Sequence, residues 1–120
     1  MMQALVVGES LVDIVTRPGE EPITYPGGSP ANVAIGLARL GRDVQLLTWL
    51  GEDGHGDLVR DHLESSRVRI ASGSQRAEHT STATATISED GSASYVFDLT
   101  IDYPEHRVSD DTVVVHIGSI

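Results

Sequence analysis

The stretch YPGGSPANVAIGLARLG, residues 25–41, decides how the rest of the chain is read. Val33, Ala34, Leu37, Ala38 and Leu40 recur at the spacing of one helix face, which predicts a helix from about Pro30 to Leu40. Ser29 reads as its N-cap, Pro30 falls in the first turn where a missing N–H costs nothing, and Gly41 suits a left-handed C-cap. Gly27 and Gly28 are left over, because one glycine suffices for the turn. Two bare backbone positions before a helix N-terminus let amides approach a polar ligand closely. The stretch therefore reads either as a plain helix start or as half of a binding site. Asn32 favours the second reading: its amide both donates and accepts, which suits a hydroxyl-rich ligand better than an anion, and Asn is a poor helix former.

On the N-terminal side, Ala4–Gly8 is an unbroken apolar run ending in Gly, the pattern of a buried strand feeding a loop, and Leu11–Val15 resumes the extended pattern. Asp13 interrupts that second run. A carboxylate there is expensive to bury unless something donates to it, and sugar hydroxyls would. Residues 17–26, rich in Pro, Gly and Glu, read as a surface excursion.

On the C-terminal side, Val44–Leu50 is a strand with Trp49 as a core residue, Asp57–Ser66 a helix carrying Leu58, Val59 and Leu63 on one side, and Val68–Ile70 a short strand. The order β, α, β, α predicts an α/β fold with a parallel sheet. Composition then shifts to Ser and Thr. TSTATATIS, EDG and SASYVFDL, within residues 80–99, read as a hairpin. The apolar run from Thr112 to Gly118 is a last strand, with His116 expected as a hydrogen-bonded core residue. A buried parallel strand needs cover on both faces, so the expectation is that the fold continues in material this chain lacks.

The 120 residues suit one small domain, and 39% hydrophobic with 22% charged residues is the composition of a soluble globular protein. Asp and Glu number 18 against 8 basic residues, all of them Arg, for a net charge of -10. Such a chain repels phosphate backbones and anionic lipid, so neither nucleic acid nor a membrane surface is an expected partner. There is no Cys, which excludes disulfides, thiolate metal sites and a cysteine nucleophile and fits a cytoplasmic location. The opening residues, with Glu9 and Asp13 among them, read neither as a signal peptide nor as a membrane span.

Other chemistry-bearing patterns give way to simpler readings. GEDGHGD, residues 51–57, lacks the ligand spacing of a calcium loop and reads as a strand-to-helix connection in which Asp53 bonds its own turn. The histidines at 55, 62, 79, 106 and 116 form no H-x-x-x-H or H-x-H pair, so no metal site is expected. The adjacent acids Asp110 and Asp111, like Glu20 and Glu21, read as solvated loop residues. Gly8 is the only glycine of a dinucleotide fingerprint that is present.

Taken together, GESLVDIV, GGSPANVAIGLARLG and VQLLTWLGEDGHGD resemble the N-terminal portion of the ribokinase-like carbohydrate kinases, bacterial fructokinases in particular. The resemblance runs from residue 4 to the end and is most specific over residues 27–56. It implies a three-layer open α/β sheet, Rossmann-like, with a small β lid. Residues 1–120 would form the N-terminal sugar-binding part, with lid elements around 12–26 and 80–100. The implied activity is transfer of the γ-phosphoryl group of ATP to a sugar hydroxyl. Asp13 would hold sugar hydroxyls, Gly27 and Gly28 would pass their backbone close to the sugar, and Asn32 would donate to it. Lid contacts would come from Thr82, Thr84 or Phe97. ATP and Mg2+ are implied at sites outside this chain, together with the catalytic carboxylate of a C-terminal Gly-Ala-Gly-Asp motif. No such motif occurs here, and without a Lys no phosphate loop of the GxxxxGK[ST] type is possible. The 120 residues alone are therefore expected to bind sugar and catalyse nothing. Fructose leads ribose, 2-keto-3-deoxygluconate and nucleosides as the expected substrate. Two other readings stay open: a non-catalytic sugar- or nucleoside-binding module, and a unit that forms a homodimer through the free strand edges of its lid.

Overall fold

Apolar runs without alternation pack on both faces, and they build the first of two sheets. In this computed structural model, which describes residues 2–118, β1 (Gln3–Val7) lies at the sheet centre. β4 (Asp43–Leu47) runs parallel on one side of it and β8 (Thr112–Ile117) parallel on the other, while β5 (Arg69–Ile70) adds to β4. The strand order is β5-β4-β1-β8. The chain leaves β1 towards β4, and β8 lies on the opposite flank. Open α/β sheets bind ligands beyond the carboxyl ends of their strands at such a reversal.

Alternation along β1 and β4 sends Ala4, Val6, Val44 and Leu46 to one face. There they meet Ala31, Ala34 and Ile35 of α1 (Ser29–Arg39) and Val59 and Leu63 of α2 (Gly54–Ser65) in one core. Full burial of a Val or Leu side chain stabilises by about 1.5–3 kcal/mol, so this cluster carries most of the fold's stability. Leu5, Leu47 and Ala71 form a smaller cluster on the other face. Among the described residues the helices cover one face only, so the sheet and one of the expected helical layers are present. No helix among them is long and apolar enough to cross a membrane.

The second sheet has the order β3-β2-β6-β7, built from β2 (Leu11–Thr16), β3 (Ile23–Gly27), β6 (Thr82–Ile87) and β7 (Ala93–Asp98). β2 pairs with β6 in parallel, and the two outer strands pair antiparallel. This is the expected lid. The hairpin turn between β6 and β7 is closed by Asp90, which accepts from the Ser88 and Ser92 hydroxyls, with Gly91 at φ 84. Val12 belongs to the main core and Ile14 packs against it, which anchors one face of the lid to the body. Two short joints connect the sheets: Gly8–Ser10 links β1 to β2, and Gly27–Gly28 links β3 to α1.

α2 starts at Gly54, earlier than its apolar spacing predicts, because Asp53 caps it by accepting from the Gly56 amide at 2.8 Å. The same carboxylate accepts from the Thr80 amide at 2.9 Å and the Thr80 hydroxyl at 2.5 Å, tying the helix start to the strand that enters the lid.

Several expectations are corrected. Residues 17–26 are not wholly an excursion, since 23–27 form β3. Its Pro26 is tolerated because β3 is an edge strand. Gly28, not Ser29, is the N-cap of α1, with φ 106 and no side-chain cap. The buried side of α1 is Pro30, Ala31, Ala34 and Ile35, whereas Leu40 is exposed at the C-cap. Trp49 follows β4 and is only half-buried. His116 is exposed on β8, as are Val113, Val114, Val115 and Ile117, because the described residues leave both faces of that strand largely uncovered.

Candidate functional site

Strand register decides which lid side chains share a face. Asp13 pairs with Tyr25 on one side and Ala83 on the other, and Ala83 pairs in turn with Phe97. Paired residues project to the same side, so Tyr25, Asp13, Ala83 and Phe97 form one row across the lid. Tyr95 flanks the row, its ring stacked on that of Phe97 at a centroid distance of 6.3 Å and an interplanar angle of 11°. The small Ala83 and Ala85 keep the middle of this face low, with aromatic rings standing at both edges.

Thr82 and Thr84 pair with Val12 and Ile14 and therefore lie on the opposite face, towards the body. Of the three lid residues singled out from the sequence, the register brings only Phe97 to the side of Asp13. Ala83 stands where Thr82 and Thr84 were expected. The Thr–Ala alternation of β6 is visible in the sequence, but which set faces Asp13 depends on pairing with a strand some seventy residues away.

Gly27 ends β3 directly beside Asp13, and a side chain at Gly27 would collide with the Asp13 carboxylate. Gly28 follows at the joint with α1, where a β-carbon would lie 2.7 Å from the Glu9 carbonyl oxygen. Both glycines are thus required by close approach, Gly27 to the strand carboxylate and Gly28 to the Glu9 backbone. The first helical bond of α1 runs from the Asn32 amide to the Gly28 carbonyl at 2.9 Å. The first turn holds neither an acidic residue nor a capping side chain, and Asn32 is exposed. The structure therefore brings Asp13, Gly27, Gly28 and Asn32 to one joint between lid and body.

The Asp13 side chain is exposed rather than buried. Even so, partial desolvation beside Gly27 and Leu11 holds its carboxyl above the usual carboxylate range. Such a group gains from hydroxyl donors. Glu9, at the tip of β1, was not foreseen from the sequence as a candidate. Its residue is 3% exposed and its Oε2 has no hydrogen-bond partner. A polar residue after an apolar strand is ordinary in sequence, so no local pattern marks it.

Trp49, Arg76, Glu78, His79, Thr100 and Asp102 line a cleft of about 420 Å³. His79 there meets Asp98 at 3.1 Å. Among the described residues no group of three His, Cys, Asp or Glu could hold a metal.

Comparison with known proteins agrees with this architecture. The profile of the pfkB family carbohydrate kinases matches residues 1–108. The fructokinase of Escherichia coli is 34% identical over 93 residues, covering 77% of this chain and 30% of that enzyme. A 5-dehydro-2-deoxygluconokinase of Clostridium tetani is 35% identical over 77 residues, covering 58% of this chain and 23% of that enzyme. The crystal structure of a fructokinase from Xylella fastidiosa superposes with a TM-score of 0.69 at 31% identity, over 81% of this chain and 33% of that one. The chain thus spans about a third or less of each of these proteins. A profile that matches nearly its whole length, on a sheet-and-lid fold shared with these enzymes, makes the chain a member of the pfkB family of carbohydrate kinases.

Proposed function

We propose that these residues are the N-terminal, sugar-holding part of an ATP-dependent carbohydrate kinase, with the nucleotide-binding part lying outside the chain. The observation that carries this reading is the meeting of Asp13 with Gly27, one residue before the glycine at which α1 starts without a capping side chain. Asp13 accepts from sugar hydroxyls, Asn32 donates to and accepts from them, and the two glycines let the sugar lie against the main chain. Phe97, 59% exposed on the same lid face, covers an apolar face of the ring. The cytoplasm, with its supply of ATP, is the compartment that fits.

The residues described here do not fit Mg2+ and ATP. The chain has no Lys, no glycine-rich phosphate loop of the Walker type and no described metal-ligand cluster. No phosphoryl-transfer step is assigned to it; its residues bind and orient the acceptor, and we expect the 120 residues alone to turn over nothing. Fructose is the first substrate to try, given the fructokinase relatives. The test is ATP consumption by the full-length protein with fructose, ribose, 2-keto-3-deoxygluconate and nucleosides. Turnover with a sugar that is lost in Asp13→Ala supports the reading, and no turnover with any of them removes it.

A second reading is a non-catalytic sugar- or nucleoside-binding or dimerising module. It draws on the apolar lid face, where Ile23, Tyr25, Tyr95 and Phe97 are all exposed, and on the free edges of β3 and β7. Sedimentation of the full-length protein shows whether the lid pairs two copies. Loss of the dimer in Tyr95→Glu would locate the contact.

A further inference from the structure

Resting on the sugar-kinase reading above, we infer that this half-site selects a neutral polyhydroxylated sugar and discriminates against sugar acids of the same size, with Glu9 and Asp13 as the residues that set the preference. The matter is open because relatives of both kinds are similar to this chain, one phosphorylating fructose and one, by its name, a gluconate derivative.

The face of the lid that carries Asp13 presents Tyr25, Ala83, Ala85, Tyr95 and Phe97 around it. None of the eight Arg and none of the five His falls within β2, β3, β6 or β7, and the chain has no Lys. A ligand carboxylate on this face would meet Asp13 and aromatic rings, with no described cation on the lid strands to receive it. Neutral hydroxyls are served well by the same set: Asp13 accepts, Asn32 does both, and the rings cover C–H faces.

Glu9 lies beside the joint. It sits at the carboxyl end of β1, where the sheet topology reverses, with its carbonyl packed against Gly28. Its Oε2 is buried with no hydrogen-bond partner among the described residues, so no described donor is there to answer a second acceptor. Burial first, and the nearby Glu9 carboxylate second, hold the Tyr103 hydroxyl above the ordinary phenol value.

The start of α1 works in the other direction. An open helix N-terminus is equivalent to about half a positive charge and attracts anions. Two acidic residues, Asp13 and Glu9, stand beside it, and the chain's net charge of -10 adds long-range repulsion.

The test is a comparison of kcat/KM in the full-length protein for fructose and ribose against 2-keto-3-deoxygluconate and 5-dehydro-2-deoxygluconate. The better neutral sugar is expected to exceed the better sugar acid by tenfold or more. Glu9→Gln, nearly isosteric, and Phe97→Arg, on an exposed strand, are each expected to narrow that ratio at least threefold. Phe97→Arg keeps the question answerable if Glu9→Gln does not fold. A sugar acid within tenfold of the neutral sugar, or better than it, overturns the inference, as does a ratio that neither variant moves. Both outcomes leave the kinase reading standing, whereas absence of turnover with all four sugars removes the kinase reading itself.

Discussion

The carboxylate of Asp13 fills the space that a side chain on Gly27 would occupy, so the identity of one residue fixes the position of the other. The obstructing atom is the end of a side chain rather than backbone. Gly27→Ala is therefore expected to displace Asp13 while leaving the fold intact. Loss of a hydrogen bond to a charged group corresponds to about 1.5–3 kcal/mol, or roughly tenfold or more in affinity. Calorimetric titration with the best sugar, beside a thermal melt, checks both halves of the expectation.

Gly28→Ala should fail differently. Gly28 adopts φ 106, and its new β-carbon would press on the Glu9 carbonyl, a backbone atom that cannot swing away. Strain of this kind costs about 1–3 kcal/mol. A lowered denaturant midpoint is expected, and a variant as stable as the parent would show that the joint is looser than described.

Asp13 also sets a pH dependence. Its carboxyl is raised in the folded state by desolvation, so ionised Asp13 weighs against folding above its unfolded pKa, and the penalty fades as pH falls through the folded pKa. Asp13→Asn should melt at the same temperature as the parent or higher at neutral pH. Sugar affinity of the parent should fall on acidification at a pH above the ordinary carboxylate range, where Asp13 takes up its proton. Affinity that holds until the ordinary range is reached would remove Asp13 from the contact.

Asp53 has the opposite sign. Burial raises its carboxyl, but bonds from the Thr80 hydroxyl and amide and the Gly56 amide, with His55 nearby, more than offset this and hold it low. The stability it supplies is present above its unfolded pKa and is lost as pH falls through the folded value. Asp53→Ala removes a helix cap and the tie to Thr80, and is expected to cost about 2 kcal/mol or more in chemical denaturation.

The lid register makes a prediction by contrast. Thr84→Val replaces a side chain on the body-facing side of β6, next to Ile14, and should leave sugar kinetics within about twofold. Phe97→Ala, on the Asp13 side, should raise KM. Equal effects of the two would mean that the pairing of β2 with β6 is out of register by one residue.

Much of the body was legible because its signals are local. The apolar run of β1, the helical spacing of α1 and α2 and the hairpin turn each declare themselves within a dozen residues. What escaped was decided by distant partners. β3 carries Pro26 and follows Pro22 and Gly19, and it becomes a strand only because β2 offers it an edge. Ser29 has the better capping chemistry, yet the chain needs φ 106 one residue earlier, which Gly28 supplies. Trp49 and His116 look like core in an apolar run, but β4 stops before the first, and β8 lies at the sheet edge with the second exposed. Asp13, Gly27, Gly28 and Asn32 were singled out because their chemistry is out of place in a plain strand and helix start. Glu9 and Ala83 were not, since only the folded chain shows the first orphaned and the second beside Asp13.

Asp13 rides on the lid, whereas Asn32 belongs to a helix rooted in the body, and the short glycine-bearing joints at 8–10 and 27–28 run between the two. A molecule grasped from both sides becomes a third tether across that seam. On the proposed reading its grip and the closing of the seam are one event, so a sugar lacking the hydroxyl assigned to Asp13 would dock on the helix and leave the cover ajar.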